Sequence, residues 1–256
     1  MATGKRSGEP TRSGREGRSA TLASAAYDRL RRDIITAVIA PGEKLLIRQI
    51  CEQYNIGLNP IREALNRLST EGLVRQTDRR GFSVAPLVSD DLDQLIWTRC
   101  ALNELAMRRS IAQGDDDWEE EVILAAHRLT RTPRHLSSSE EVNDAWEEAH
   151  RNFHATLLAA CGSPWLMDFC ERLFDVSGRY RHLARRVAKA KGPLSPRDPG
   201  EHQAIAAAAV ARNADDAVRL LNEHFRKTAD LVRESLGASM FAASMPIAAG
   251  KEIAAH

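Results

Sequence analysis

The sequence predicts a mainly α-helical protein in two parts, a small winged helix-turn-helix followed by an all-helical bundle of six or seven helices. Three observations carry that expectation. Residues 47–84 read as helix, tight turn, helix and a short basic hairpin. Beyond Pro86 the apolar residues recur at three- and four-residue steps, interrupted only by Gly and Pro clusters. The composition is 43% hydrophobic but only 5% aromatic, and rich in Ala, Leu, Arg and Glu, which favours helices. A chain of 256 residues has room for one or two domains with real cores.

Each element follows in order. Residues 1–20 are rich in Gly, Ser, Thr and Arg and have little to bury, so they read as a disordered basic tail. A first helix is expected from about Ser24 to Val38, ended by Pro41-Gly42. Leu45 and Leu46 lead into a second helix near Ile47, and Asn55-Ile56-Gly57 breaks it. Asn59 precedes Pro60, which suits a first helical position, and the third helix ends at Gly72. Leu73–Gln76 and Phe82–Ala85 are short strands joined by Thr77–Gly81, a wing. The domain spans 21–86. Residues 89–236 then form the bundle, with helices at about 89–113, 116–131, 139–160, 163–191, 198–211 and 213–236, and 237–256 form a flexible tail.

Within 47–84, Ile47, Ile50, Ile56, Ile61, Leu65 and Leu68 can close a small core, leaving Asn59, Arg62, Asn66 and Arg67 on the other face. A helix-turn-helix offers its second helix to the DNA major groove in this way. Charge agrees: residues 1–86 hold 15 Lys/Arg against 9 Asp/Glu, while the chain as a whole is only +1. A basic front and an acidic remainder suit a nucleic-acid binder with a separate second domain, although two ordinary solvated surfaces would give the same balance.

The ordered set Pro41-Gly42, Leu45, Arg48, Pro60-Ile61-Arg62-Glu63-Ala64-Leu65, Arg67-Leu68, Glu71-Gly72-Leu73-Val74 and Arg80-Gly81 resembles the GntR family of bacterial transcription factors. The resemblance covers about 24–86 and implies that Arg48, Arg62 and the wing-tip Gly81 meet operator DNA. Asn59, Arg67, Arg79 and Arg80 join them as candidate DNA contacts. Leu58 departs from the pattern, because the family usually carries arginine there.

In the second part, His150 and His154 stand four residues apart, about 40° apart around a helix, so both can point inward. His202 opens one helix and His224 lies on the next, and a hairpin turning near Arg212-Asn213 sets them side by side. Imidazoles converging from three helices suit Zn or Ni. Histidines at plain helix interfaces would show the same spacing. Asp144, Glu147 and Glu148 read as surface charges, and Arg179, Arg181, His182, Arg185 and Arg186 as a solvated basic face.

Asn152-Phe153-His154, Glu201-His202 with Ile205, and Ala217, Leu221 and His224 resemble the effector domain of the FadR subfamily of GntR regulators, the FCD domain. The resemblance implies a divalent metal held by three histidines and an aspartate, with a carboxylate effector beside it. His154, His202 and His224 match the histidines, while His150 stands where the aspartate is usual. A four-histidine site, a three-histidine site backed by His150, and no metal at all follow as alternatives. Arg99 resembles an arginine that would meet the effector. Gly57-Leu58-Asn59-Pro60-Ile61-Arg62 with Arg80-Gly81-Phe82-Ser83-Val84-Ala85-Pro86 resembles the branch of the family that responds to glutarate and related carboxylates.

The expected function is a non-enzymatic, ligand-responsive transcriptional regulator, a repressor in its commoner mode. It would bind double-stranded operator DNA as a homodimer, with a small organic acid as effector. A small helical metalloenzyme and a zinc-stapled DNA-binding protein without effector are the competing readings. Cys51, Cys100, Cys161 and Cys170 form no CxxC pair and no apolar run approaches the roughly 18 residues of a membrane span, so a cytoplasmic location without membrane contact is expected.

Overall fold

A computed structural model describes residues 12–77, 81–134, 143–191 and 200–243. The chain divides into two compact units at Pro86/Leu87.

The first unit contains α1 (Arg12–Ile35), β1 (Lys44–Leu45), α2 (Ile47–Tyr54), α3 (Leu58–Thr70), β2 (Val74–Thr77) and β3 (Gly81–Val84). Ala26, Leu30 and Ile34 recur along one side of α1 and meet Ile61, Ala64, Leu65 and Leu68 of α3. Ile50 and Tyr54 of α2 close the core from a third side. Asn55 takes a left-handed φ of 53° and stops α2, which makes the tight turn before α3. Helix α1 begins twelve residues earlier than about Ser24, the start expected from sequence. Part of the segment expected to be disordered, residues 12–20, is therefore helical. A helix nucleated by packing at Ala23–Ile34 propagates backwards cheaply, and no proline after Pro10 stops it. The other residues of that tail, 1–11, lie outside the described residues, as do 244–256 of the expected C-terminal tail; α9 carries 237–243 as helix.

The wing is a three-stranded antiparallel sheet in the order β1-β3-β2, with Leu45 opposite Phe82 and Gln76 opposite Phe82 on the other side. Strand β1 was not expected from sequence: two residues carry no readable alternation, and only pairing with β3 makes them a strand. Helix α3 starts at Leu58, with Gly57 as its N-cap, so Asn59 lies inside the first turn rather than ahead of the helix.

The second unit contains α4 (Ser89–Gln113), α5 (Asp116–Arg131), α6 (Asp144–Leu158), α7 (Pro164–Lys191), α8 (Gly200–Val210) and α9 (Ala214–Ala243), with a 3-10 turn at Ala159–Cys161 before α7. Among the described residues it has no strand. Acids begin several helices: Asp115 caps α5 by accepting from the Trp118 amide at 3.0 Å, and Asn143 caps α6. Gly162, at φ 71°, turns the chain into α7 where a Cβ would stand 2.8 Å from Gln113 Oε1. The start of α7 thus lies beside the end of α4, where Arg109 Nε also donates to the Cys161 carbonyl at 2.7 Å. The core runs through Met107, Val122, Phe153, Leu157, Ile205, Leu221 and Phe225, all almost fully buried.

Candidate functional site

In the first unit, α3 buries Pro60, Ile61, Ala64, Leu65 and Leu68 and leaves Asn59, Arg62, Asn66 and Arg67 exposed. Arg48, on the first turn of α2, is exposed too. Neither Arg48 nor Arg62 makes an ion pair with another described residue, so Arg62 is not held by Glu63 or Glu52. Arg67 differs: its guanidinium lies 4.0 Å over the ring of Tyr27, whose hydroxyl donates to Glu71 at 2.6 Å. Arg67 therefore ties α3 to α1. Gly81 opens β3 at φ 83°, a left-handed conformation that glycine adopts without strain. Arg79 and Arg80 lie outside the described residues.

In the second unit, His150 and His154 of α6, His202 of α8 and His224 of α9 come together, with one ligand atom from each lying within 4.8 Å of all the others. His150 Nε2 and His154 Nε2 stand 3.2 Å apart. Two nitrogens bound to one zinc at about 2.0–2.1 Å in tetrahedral geometry are separated by about 3.3 Å. The rings of His202 and His224 are 4.7 Å apart, and those of His154 and His224 5.4 Å. His150, His154 and His224 are buried; His202 is half-buried as a residue, but its Nε2 is shielded from solvent. Burial first, and neighbouring imidazoles and arginines second, push His150 and His154 well below the ordinary imidazole value, so both are neutral, the form that ligates metals. His150 Nδ1 is buried without a hydrogen-bond partner, and its ring stacks on Trp146 at 4.8 Å. These residues fit a late first-row divalent cation, with all four histidines in reach.

A cavity of about 610 Å³ opens beside this cluster, lined by Arg99, Asn103, Arg151, Asn152, His154 and Phe174 among others. Arg99 is 2% exposed and touches no carboxylate. Its Nη1 donates to Ser177 Oγ at 3.0 Å, its Nε is buried without a partner, and its guanidinium lies 3.8 Å over Phe225. Burial, then Arg181, pushes its pKa down to about 9. Glu104, one turn further along α4, pairs with Arg108. A buried cation with no counter-charge is costly, and an anion entering the cavity relieves that cost.

Two sequence expectations are corrected here. Glu147 is not a surface charge: it lies under α7 and pairs with Arg185 at 2.7 Å and Arg181 at 3.8 Å. Arg179 and Arg181 are likewise buried rather than solvated, because α7 is flanked by α4, α6 and α9. A run of basic residues gave no sign that a single glutamate on another helix would fold beneath it.

A DNA-reading winged helix-turn-helix followed by a helical domain with a ligand-sized cavity defines a transcription regulator, and comparison with known proteins agrees. Residues 22–84 match the bacterial regulatory proteins of the gntR family and residues 94–227 match the FCD domain. The chain belongs to the GntR family, as a FadR-like member. It is 31% identical over 210 residues to the HTH-type transcriptional repressor GlaR of Escherichia coli K12, covering 82% of this chain and 95% of that protein. It is 34% identical over 221 residues to the uncharacterized HTH-type regulator BphR of Paraburkholderia xenovorans LB400, covering 84% and 86%. Among solved structures, E. coli McbR/YncC shares the fold with a TM-score of 0.68 at 19% identity, over 84% of this chain and 99% of that one. No helix among the described residues is long and apolar enough to cross a membrane.

Proposed function

We propose that this regulator is a ligand-responsive, dimeric repressor located in the cytoplasm. Its effector is a small organic acid bound in the FCD cavity. Arg99 takes a carboxylate of the effector. His154, His202 and His224, with His150, hold Zn or Ni, and the metal would supply a second positive contact for the acid. The observation that carries the reading is the buried, uncompensated Arg99 in the same cavity as His154. Four imidazoles bring no negative charge to the metal, which leaves the site cationic and selects an anion.

Arg48, Asn59 and Arg62 make the operator contacts, with Gly81 and the Arg79–Arg80 wing beside them. Leu58 supplies no charged contact, so the remaining arginines carry more of the recognition. Control follows from unequal affinity of the acid for two packings of the bundle. C4–C6 acids of the glutarate type are the first candidates. The test is a thermal-shift screen of such acids with and without chelator, followed by operator binding with each hit. A shift that disappears on chelation and weakens operator binding supports the reading. Operator binding indifferent to every acid, with metal present, returns the histidines to a structural staple.

A further inference from the structure

Helix α3 begins with a leucine that its own fold does not bury. Leu58, the first residue after the Gly57 N-cap, is 48% exposed, whereas Ile61, Ala64, Leu65 and Leu68 are fully buried. A lone exposed leucine is ordinary, so its place on the helix is what matters. Leu58, Arg62 and Asn66 stand at four-residue steps and are all exposed, so they form one stripe that drifts by about 40° per step. Leu58 thus shares the side of α3 that carries Arg62, one turn nearer the start of the helix. That tip stands clear of its surroundings: Gly57 is exposed, and a Cβ there would meet nothing within 4 Å. No acid lies in the first turn of α3 to repel a phosphate backbone.

The first residues of a reading helix meet base edges when the helix enters the major groove. A leucine side chain has neither donor nor acceptor. Set against guanine or adenine, it would cover polar edge atoms and leave them without partners, which costs affinity. The 5-methyl group of thymine is the one methyl that the unmodified major groove presents, and apolar side chains pack on it.

We infer that Leu58 is a specificity residue that reads thymine, its side chain packing on the 5-methyl group of a thymine in the operator. The inference rests on the operator contact proposed for Arg62 and adds a second base reader on the same stripe. Four residues of helix rise about 6 Å, against about 3.4 Å for one base step, so the thymine lies about two base pairs from the base taken by Arg62. An arginine at position 58 would select guanine instead. Leucine therefore attracts thymine and also rejects guanine, whose acceptors it cannot satisfy.

Selection by the full-length protein from a pool of random DNA duplexes supplies the probe. Thymines of the enriched duplex are then replaced one at a time by uracil, which lacks only the 5-methyl group, and affinity is read by fluorescence anisotropy at fixed salt. Burying one methyl is worth about fourfold in affinity, so uracil at one position is expected to weaken wild-type binding by about that factor. Leu58→Ala is expected to bind the thymine and uracil duplexes equally. Leu58→Arg, taken through the same selection, is expected to enrich guanine in place of that thymine. Because Leu58 is half exposed, both variants are expected to melt with the wild type. Wild-type binding indifferent to uracil at every thymine, an equal loss in wild type and Leu58→Ala, or an unchanged selected sequence for Leu58→Arg overturns this assignment alone. A pool from which the wild type enriches no duplex overturns the operator contacts and the assignment with them.

Discussion

Glu201 Oε2 accepts a hydrogen bond from His224 Nδ1 at 2.9 Å, and the other oxygen of the same carboxylate takes Lys227 at 2.9 Å. The hydrogen bond from His224, outweighing burial, holds Glu201 at about 2, so it is an ionised acceptor and Nδ1 carries the proton. The lone pair of His224 is then on Nε2. Carboxylates that orient ligating histidines in this way typically contribute 10–100-fold to metal affinity. Glu201→Gln is therefore expected to weaken Zn or Ni binding by about that factor, read by competition with a chromophoric chelator. Unchanged affinity would show that the histidines set their own tautomers.

Arg99 gives a prediction with two opposite signs. Arg99→Met keeps most of the side-chain volume against Phe225 and removes a buried charge that no carboxylate balances. The ligand-free variant is expected to melt no lower than wild type, because the lost hydrogen bond to Ser177 is offset by the lost desolvation penalty. The acid-induced thermal shift is expected to vanish. A variant that melts lower yet keeps the shift would make Arg99 a scaffold residue.

On the DNA side, Arg62 and Arg67 share helix α3 but have different surroundings. Arg62→Ala is expected to cost about 1–3 kcal/mol of operator affinity and to relax preference at one base position. Arg67→Ala loses the contact with Tyr27, worth about 0.5–1 kcal/mol of stability at an exposed site, with a smaller effect on DNA. Chemical denaturation and operator titration of the two variants separate these roles.

Acid stability of the bundle follows from Glu147 and His182. Burial raises the Glu147 pKa, but the guanidiniums of Arg185 and Arg181 outweigh it and hold it at about 2, below its ordinary 4.5. Its stabilisation is fully present above pH 4.5 and is lost as pH falls from there towards 2. His182 is pushed down to about 3 by burial and then Arg185, so it stays neutral in the fold while the unfolded chain takes up a proton below about 6.5. Both groups therefore make stability fall on acidification, His182 from pH 6.5 downward and Glu147 from 4.5. Glu147→Gln leaves Arg181 and Arg185 without their acid and is expected to cost roughly 3 kcal/mol at pH 7. Urea unfolding should show that gap closing below pH 4.5. A gap independent of pH would mean that packing, not charge, carries it.

The legible part of this protein was the part written in local spacing. Ile61, Leu65 and Leu68 announced the buried face of α3, and Gly and Pro marked most helix ends. His150 and His154 at four residues, and His202 and His224 on either side of a short turn, announced that each pair could meet. The two-residue β1 and the early start of α1 were not legible, because one depends on a pairing partner and the other on propagation from packed residues.

Sequence by itself determined the family, the order of elements and the angle of each side chain around its own helix. Only the tertiary structure decided that the two histidine pairs meet in one cluster, that Arg99 and His154 line one cavity, that Glu147 lies beneath Arg181 and Arg185, and that Glu201 reaches His224. The physical reason is that periodicity fixes direction about one axis, whereas convergence depends on how several axes tilt and pack. Those tilts are set by side-chain volumes such as Phe153, Leu221 and Phe225 in the core, and not by any single segment.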